Sequence, residues 1–118
     1  MSLILVADDA AFQRLRVRKV CENAGHEVVE ASSGREAVDM FVASHPDAVL
    51  MDITMPDMDG LEALGRIREL DPTARVVMLS ALAQQAVVIK AVMAGARDFI
   101  AKPAEADRVL SALNRALA

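Results

Sequence analysis

The sequence predicts an α/β fold in which five βα units form a doubly wound, parallel five-stranded sheet. Short apolar runs alternate with segments of helical period along the 118 residues. Several runs are continuously apolar, which is typical of strands that are buried on both faces. The connections between segments are short, and no repeat or linker interrupts them. Alternation of this kind indicates helices on both faces of one sheet, and we expect residues 1–118 to form a single, complete domain.

The first half of the chain supplies two of these units. Leu3–Ala7 is an apolar strand, and residues 10–24 carry apolar side chains at helical spacing until Gly25 supplies a left-handed stop. Glu27–Ala31 is a more polar strand. Ser33 begins an S-x-x-E capping box, which predicts a helix through residue 43.

The second half continues the alternation after Pro46. Residues 48–51 form a buried strand, and a helix over residues 61–70 follows, capped by Asp59. The remaining elements are predicted as a strand at 75–79, a helix at 84–94 closed by Gly95, a strand at Asp98–Ala101 and a helix at 105–117.

Composition excludes several classes of protein. Hydrophobic residues make up 54% of the chain and charged residues 25%, as in globular proteins, and the net charge of −4 comes without a basic run that would bind nucleic acid. The lone Cys21 excludes a disulfide framework and is expected to be a small core or boundary residue rather than a reactive thiol. The amino terminus lacks a charged signal-peptide region, and no segment approaches the ~20 apolar residues of a membrane helix. We therefore expect a cytoplasmic protein.

Three apolar runs end on ionisable residues. Leu3–Ala7 leads into Asp8 and Asp9, the run at 48–51 leads into Asp52, and the last strand leads into Lys102. If these strands are neighbours, their carboxyl ends share one edge of the sheet, where ligands bind in open α/β folds. Three carboxylates and one ammonium at this edge predict a site for a divalent cation and a phosphoryl group.

Each acidic residue also has a simpler interpretation. Asp8 or Asp9 could cap the following helix, but two adjacent acids repel each other unless a cation is present. Oxygen ligands of this kind suit Mg²⁺ or Mn²⁺. Asp52 could be a turn residue, but a carboxylate is also a competent nucleophile toward phosphorus.

Two residues at the ends of later strands complete the predicted site. Lys102, in an otherwise apolar strand end, needs an anionic partner nearby, and Pro103 after it could form a cis peptide. Ser80 ends the fourth strand, which should lie between the strands carrying Asp52 and Lys102. The Ser80 hydroxyl could therefore reach a phosphoryl oxygen. Each residue also has a simpler interpretation: Lys102 could be a solvated lysine, and Ser80 could be a turn residue.

Together these residues resemble the receiver domains of two-component response regulators. The resemblance covers the whole chain and rests on four motifs in order: Asp8-Asp9, residues 51–60 (MDITMPDMDG), Ser80-Ala81, and residues 95–103 (GARDFIAKP). It implies a flavodoxin-like strand order of 2-1-3-4-5.

The resemblance also implies a role for each matching residue. Asp52 is the expected phosphoacceptor, Asp9 and Asp52 are direct Mg²⁺ ligands with the Thr54 backbone carbonyl, and Asp8 acts through water. Ser80 and Lys102 are expected to contact the phosphoryl group. Phe99 falls at the family's aromatic switch position, where the ring turns inward as the Ser80 hydroxyl moves; its simpler interpretation is a core aromatic.

Partners follow from the same resemblance. A histidine kinase is the expected phosphoryl donor, and the chain catalyses only its own phosphorylation and dephosphorylation, so it is not an enzyme with a separate substrate. The predicted helix at 84–94 is apolar almost all round, so it is either deeply packed or an exposed contact surface. With the fifth strand and last helix it forms the expected output face. A target protein, such as the flagellar motor switch of a chemotaxis system, or a second copy would bind there.

Four alternatives remain open on the sequence. A haloacid-dehalogenase-type phosphatase would carry an acid two residues after its nucleophile, where this chain has Thr54. A flavodoxin-like cofactor binder would need a phosphate loop rather than acids after the first strand. The others are a binding module that works without phosphorylation and a receiver excised from a longer regulator.

Overall fold

The strands and helices alternate from one end of the chain to the other in a computed structural model, which describes residues 1–82 and 84–118. The elements are β1 (Leu3–Ala7), α1 (Ala11–Asn23), β2 (Glu27–Ala31), α2 (Gly34–Ser44), β3 (Ala48–Asp52), α3 (Gly60–Leu70), β4 (Val76–Ser80), α4 (Gln85–Met93), β5 (Asp98–Ala101) and α5 (Ala106–Leu117). All neighbouring strands are parallel, in the order β2-β1-β3-β4-β5. The predicted fold class and strand order are confirmed.

Predicted and observed boundaries differ by at most one residue, and two of these differences bear on the site. β3 extends to Asp52 and β4 is displaced to Val76–Ser80. Asp52 pairs with Leu79, and Ser80 pairs with Ala101. Both polar residues are therefore held by the sheet itself rather than by the loops that follow it.

The two faces of the sheet carry separate apolar clusters because side chains alternate along each strand. On one face, Met51 and Met78 belong to a cluster with residues of α2, α3 and α4, including Phe41, Leu64 and Ala91. The other face packs against α1 and α5, through a cluster of Ile4, Val6, Cys21, Ala48, Leu50, Val77, Leu79, Ile100, Val109, Ala112, Leu113 and Ala116. β3 and β4 are buried throughout, which explains why every residue before Asp52 and Ser80 in these strands is apolar.

Cys21 lies in the core, one of the two positions that the sequence predicted for it. It is fully buried in the cluster on the α1 and α5 side, and burial raises the pKa of its thiol to about 11. A thiol that stays protonated at neutral pH is a small apolar residue rather than a nucleophile.

Local signals set the helix ends. The Ser33 hydroxyl accepts a hydrogen bond from the Glu36 N–H at 3.0 Å. The Glu36 carboxylate returns to the Ser32 N–H at 2.8 Å, one residue earlier than in a standard capping box. Asp59 caps α3 by accepting from the Glu62 N–H at 2.9 Å. Gly25 and Gly95 follow α1 and α4 at φ angles of 92° and 101°, which glycine adopts most easily.

Within residues 1–82 and 84–118, the helices are all too short or too polar to span a lipid bilayer.

Candidate functional site

The carboxyl ends of four adjacent strands bring the predicted residues together. Asp8 directly follows β1, Asp52 ends β3, Ser80 ends β4, and Lys102 directly follows β5. These strands are consecutive in the sheet, so residues 94 positions apart in sequence meet at one edge. The prediction that these residues meet depended on the order of the strands in the sheet, and strand order cannot be read directly from the sequence.

Three acidic side chains form a cluster at this edge. Asp8, Asp9 and Asp52 each offer a carboxylate oxygen, and these oxygens all lie within 4.8 Å of one another. Asp8 and Asp52 are only 5% and 8% exposed, whereas Asp9 is exposed. Hard oxygen donors, partly buried and partly open to water, fit a divalent cation that retains several water ligands.

Lys102 is the counterion of the two buried acids. Its Nζ lies 3.0 Å from Asp8 Oδ2 and 3.3 Å from Asp52 Oδ2. The lysine therefore has the anionic partners that its position in an apolar strand end requires, and it is not a freely solvated side chain. Three carboxylates and one ammonium leave an excess of two negative charges, which a divalent cation can neutralise.

Burial sets the electrostatics of Asp52. It raises the pKa of the carboxyl above its ordinary value, and the Asp8 charge acts in the same direction. The Lys102 ammonium and the Ile53 N–H, which donates to Asp52 Oδ1 at 2.9 Å, oppose this rise without cancelling it. A poorly solvated carboxylate gains more from a nearby cation than an exposed one does.

The acid pair does not serve as the cap of α1. The N-cap position is Ala10, which forms no side-chain cap hydrogen bond. Asp8 Oδ1 instead accepts from the Ala10 N–H at 2.9 Å, a bond that turns the chain and holds the Asp8 carboxylate at the strand edge. The simpler interpretation of these acids as helix caps is therefore disfavoured.

The remaining predicted residues lie around this cluster. Ser80 is 1% exposed, and its hydroxyl accepts from the Leu82 N–H at 2.9 Å. Thr54 is exposed on the loop after β3. Phe99 is half-buried against the cluster on the α2, α3 and α4 side. The Lys102–Pro103 peptide bond is cis.

Backbone packing under the site involves residues that the sequence analysis did not select. A Cβ atom on Gly60 would lie 2.0 Å from the Asp52 carbonyl oxygen, and one on Gly34 would lie 1.9 Å from the Met58 carbonyl oxygen. The Gly60 N–H also donates to the Ile53 carbonyl at 2.7 Å. Glycine at the first position of both α2 and α3 was the available signal, because it is a poor helix former.

Arg14 was also missed. Its guanidinium contacts the backbone carbonyl of Asp8 at 2.7 Å. An arginine six residues after Asp8, on the helix that follows the acid pair, carries little signal by itself among ten arginines.

Comparisons with known proteins agree with this geometry. A family model described as the response regulator receiver domain matches residues 4–114. The chain is 51% identical over 115 residues to the chemotaxis protein CheY of Bacillus subtilis, covering 97% of this chain and 96% of that protein. It is 49% identical over 113 residues to CheY of Thermotoga maritima, covering 95% and 94%.

A solved structure shows the same relationship. The CheX-CheY-BeF3-Mg+2 complex from Borrelia burgdorferi contains a chain that is 34% identical to this one, with a TM-score of 0.94 over 98% of this chain and 89% of that chain. The motifs, the sheet order and these relatives lead to one conclusion. The chain belongs to the response regulator receiver domain family, as a phosphorylation-activated signalling receiver of the two-component, chemotaxis type.

Proposed function

We propose that Asp52 is the residue that accepts the phosphoryl group. The observation that supports this assignment is the meeting of Asp8, Asp9, Asp52 and Lys102 at one sheet edge. Of the three acids, Asp52 is the one that belongs to a strand, as the last residue of β3 in the middle of the sheet. In the transfer, the phosphorus–nitrogen bond of a phosphohistidine breaks and a bond from a carboxylate oxygen of Asp52 to phosphorus forms. The released imidazole keeps the bonding electron pair.

The acid cluster is proposed to hold Mg²⁺, or Mn²⁺ in its place. Asp9 and Asp52 would be direct ligands together with the Thr54 backbone carbonyl, and Asp8 would act through water. The three-carboxylate donor set supports this, as does the Borrelia burgdorferi relative, whose structure is described as containing Mg²⁺ and BeF3. The bound cation would neutralise negative charge on the acceptor and on the phosphoryl oxygens.

Lys102 and Ser80 are proposed to contact the transferred group. In the structure Lys102 pairs with Asp52 Oδ2. Once that carboxylate is phosphorylated to an acyl phosphate, the ammonium gains phosphoryl oxygens as partners, which are stronger acceptors. The Ser80 hydroxyl would donate a hydrogen bond to the phosphoryl group, and its movement toward that group would break the bond that it accepts from the Leu82 N–H. This exchange would move the loop after β4, and Phe99 would turn toward the space that is vacated.

The output surface is proposed to be the α4-β5-α5 face. Of the nine residues of α4, all of them described, Ala91 alone is buried, so deep packing does not account for its apolar sequence. Ile89, Val92 and Met93 are 48%, 57% and 83% exposed, which is typical of a protein-contact surface. Its partner would be a target protein, the flagellar motor switch in a chemotaxis system, or a second copy of the chain.

The other proposals concern the cellular context. A histidine kinase would supply the phosphoryl group, and the chain would act in the cytoplasm without turning over a separate metabolite. The chain spans nearly the full length of its CheY relatives, which supports residues 1–118 acting as one receiver domain.

Phosphorylation with labelled acetyl phosphate in magnesium buffer tests the assignment. We expect a base-labile, acid-stable label on the unaltered protein and none on Asp52→Asn. Asp57→Asn, which removes an exposed acid of the following loop, should retain the label. Equal labelling of Asp52→Asn and the unaltered protein would refute the assignment.

A further inference from the structure

Arg14 joins the acid cluster to the edge strand of the sheet. Its Nη1 donates to the Asp8 carbonyl oxygen at 2.7 Å, and its Nε donates to Glu30 Oε1, also at 2.7 Å. The arginine side chain is 19% exposed and that of Glu30 is 28% exposed. The hydrogen bonds that Arg14 and Arg18 donate to Glu30 lower the pKa of the Glu30 carboxyl below its ordinary value. Glu30 therefore remains an ionised anchor for the guanidinium at neutral pH.

The contact with Asp8 fixes a particular peptide unit. The Asp8 carbonyl and the Asp9 N–H belong to the same planar peptide group. The Asp8 side chain is already held by the Ala10 N–H and by Lys102, but Asp9 is exposed. The direction of the Asp9 side chain therefore depends strongly on the plane of this peptide, and a charge-assisted hydrogen bond to its carbonyl holds that plane.

We propose that Arg14 is a positioning residue for divalent-cation binding, acting through the Asp8–Asp9 peptide. This inference rests on the proposed function, since it assumes that the acid cluster binds the cation. The guanidinium sets the angle between the two adjacent carboxylates before the cation arrives. Residues that orient metal ligands commonly affect metal affinity by roughly 10- to 100-fold.

Simple electrostatics predicts the opposite result. Removal of a positive charge beside three carboxylates should strengthen cation binding. Loss of a positioning contact should weaken it. The sign of the change in affinity therefore separates the two effects, and no fine comparison of magnitudes is needed.

Arg18 provides a matched control. It also pairs with Glu30, and its other partner is Glu22. Arg14→Ala and Arg18→Ala remove the same charge from the same helix and from the same carboxylate. The first of these variants also removes the hydrogen bond to the Asp8 carbonyl.

The experiment is a Mn²⁺ titration of the full chain, with free Mn²⁺ measured by electron paramagnetic resonance. Arg14→Ala should raise the dissociation constant by about tenfold or more, whereas Arg18→Ala should leave it unchanged or lower it. Arg14→Lys, which keeps the charge but offers a single donor group, should restore part of the affinity. Arg14→Gln serves the same purpose as Arg14→Ala if the alanine variant does not fold, because it keeps most of the side-chain stem.

A second measurement reports the peptide directly, without metal. The amide nitrogen of Asp9 should change its chemical shift in Arg14→Ala and keep it in Arg18→Ala. An unchanged or lower Mn²⁺ dissociation constant for both Arg14→Ala and Arg14→Gln would overturn the inference. Failure of the unaltered protein to bind Mn²⁺ would instead overturn the proposed function, and this inference with it.

Discussion

Lys102 Nζ lies 3.3 Å from Asp52 Oδ2, so the proposed phosphoacceptor carries its own counterion before any cation or phosphoryl group binds. The same ammonium also contacts Asp8 at 3.0 Å. A divalent cation entering the cluster therefore shares both buried acids with Lys102. Removal of this lysine should have opposite effects on stability and on metal binding.

We expect Lys102→Met to lower the free energy of unfolding by roughly 3 kcal/mol in metal-free buffer, because two buried carboxylates lose their partner. Mg²⁺ should bind this variant more tightly than the unaltered protein and restore much of the lost stability. Urea unfolding with and without Mg²⁺ measures both effects. Lys19→Met, a change at an exposed position of α1, is the control, and an equal Mg²⁺ response in the two variants would contradict the prediction.

The two glycines at positions 34 and 65 should respond to alanine in opposite directions. A Cβ on Gly34 would collide with the Met58 backbone, whereas one on Gly65 has no heavy atom within 4 Å. Gly34→Ala should lower the free energy of unfolding by about 2 kcal/mol, and Gly65→Ala should raise it by up to about 1 kcal/mol. Urea denaturation measures both. A stabilising Gly34→Ala would show that the loop after β3 is free to move away from α2.

The ion pairs of Asp98 predict a dependence of stability on pH. Burial tends to raise the pKa of Asp98, but hydrogen bonds from Arg108 and the Phe99 N–H, with the charges of Arg108 and Arg115, outweigh it and hold the pKa below the ordinary 3.8. Because the folded-state pKa is depressed, the stabilisation is present above pH 3.8 and is lost as the pH falls through the folded-state value.

Asp98→Asn should therefore reduce stability by about 1 kcal/mol at pH 7, a modest value because the pairs are partly exposed. The difference from the unaltered protein should shrink as the pH falls below about 4. Urea unfolding at a series of pH values gives this difference. Asp39→Asn, at an exposed position of α2, should stay within about 0.5 kcal/mol of the unaltered protein at pH 7. A difference for Asp98→Asn that grows on acidification would have the wrong sign.

Two valines of similar exposure, one on the proposed output face and one outside it, test the location of that face. Val92 on α4 is 57% exposed and Val42 on α2 is 51% exposed, so a glutamate at either position should be tolerated by the fold. Val92→Glu should abolish partner binding in a pull-down with beryllofluoride and Mg²⁺, whereas Val42→Glu should retain it. Both variants should still be phosphorylated at Asp52. Undiminished partner binding by Val92→Glu would place the output surface elsewhere.

The order of elements and most of the site could be predicted from the sequence because the signals are local. Alternation of apolar runs with helical segments specified the five βα units, and the apolar residues at 48–51 and 76–79 indicated strands. The polar residues at strand ends were visible because an ionisable side chain directly after a buried run is unusual. The resemblance then gave Asp8, Asp9, Asp52, Ser80 and Lys102 their expected roles.

Element boundaries were less well predicted. Asp52 was assigned to the position after its strand, and the fourth strand was predicted over residues 75–79, yet Asp52 and Ser80 both belong to the paired register of the sheet. Strand pairing depends on hydrogen bonds to neighbouring strands that are distant in sequence, and the local sequence of one strand does not show where those hydrogen bonds begin and end. The helical pattern at 84–94 likewise could not separate a packed helix from an exposed one, because exposure depends on what lies above it.

The sequence by itself determined the fold class, the succession of elements and the chemical identity of the residues at the sheet edge, because each depends on hydrophobic period, helix caps and residue type. Tertiary structure decided which of these residues touch. It placed the Lys102 ammonium between Asp8 and Asp52, brought Arg14 to the Asp8 carbonyl and pressed the Met58 backbone against Gly34. These contacts depend on distances across the folded chain, which arise only when separate segments pack together.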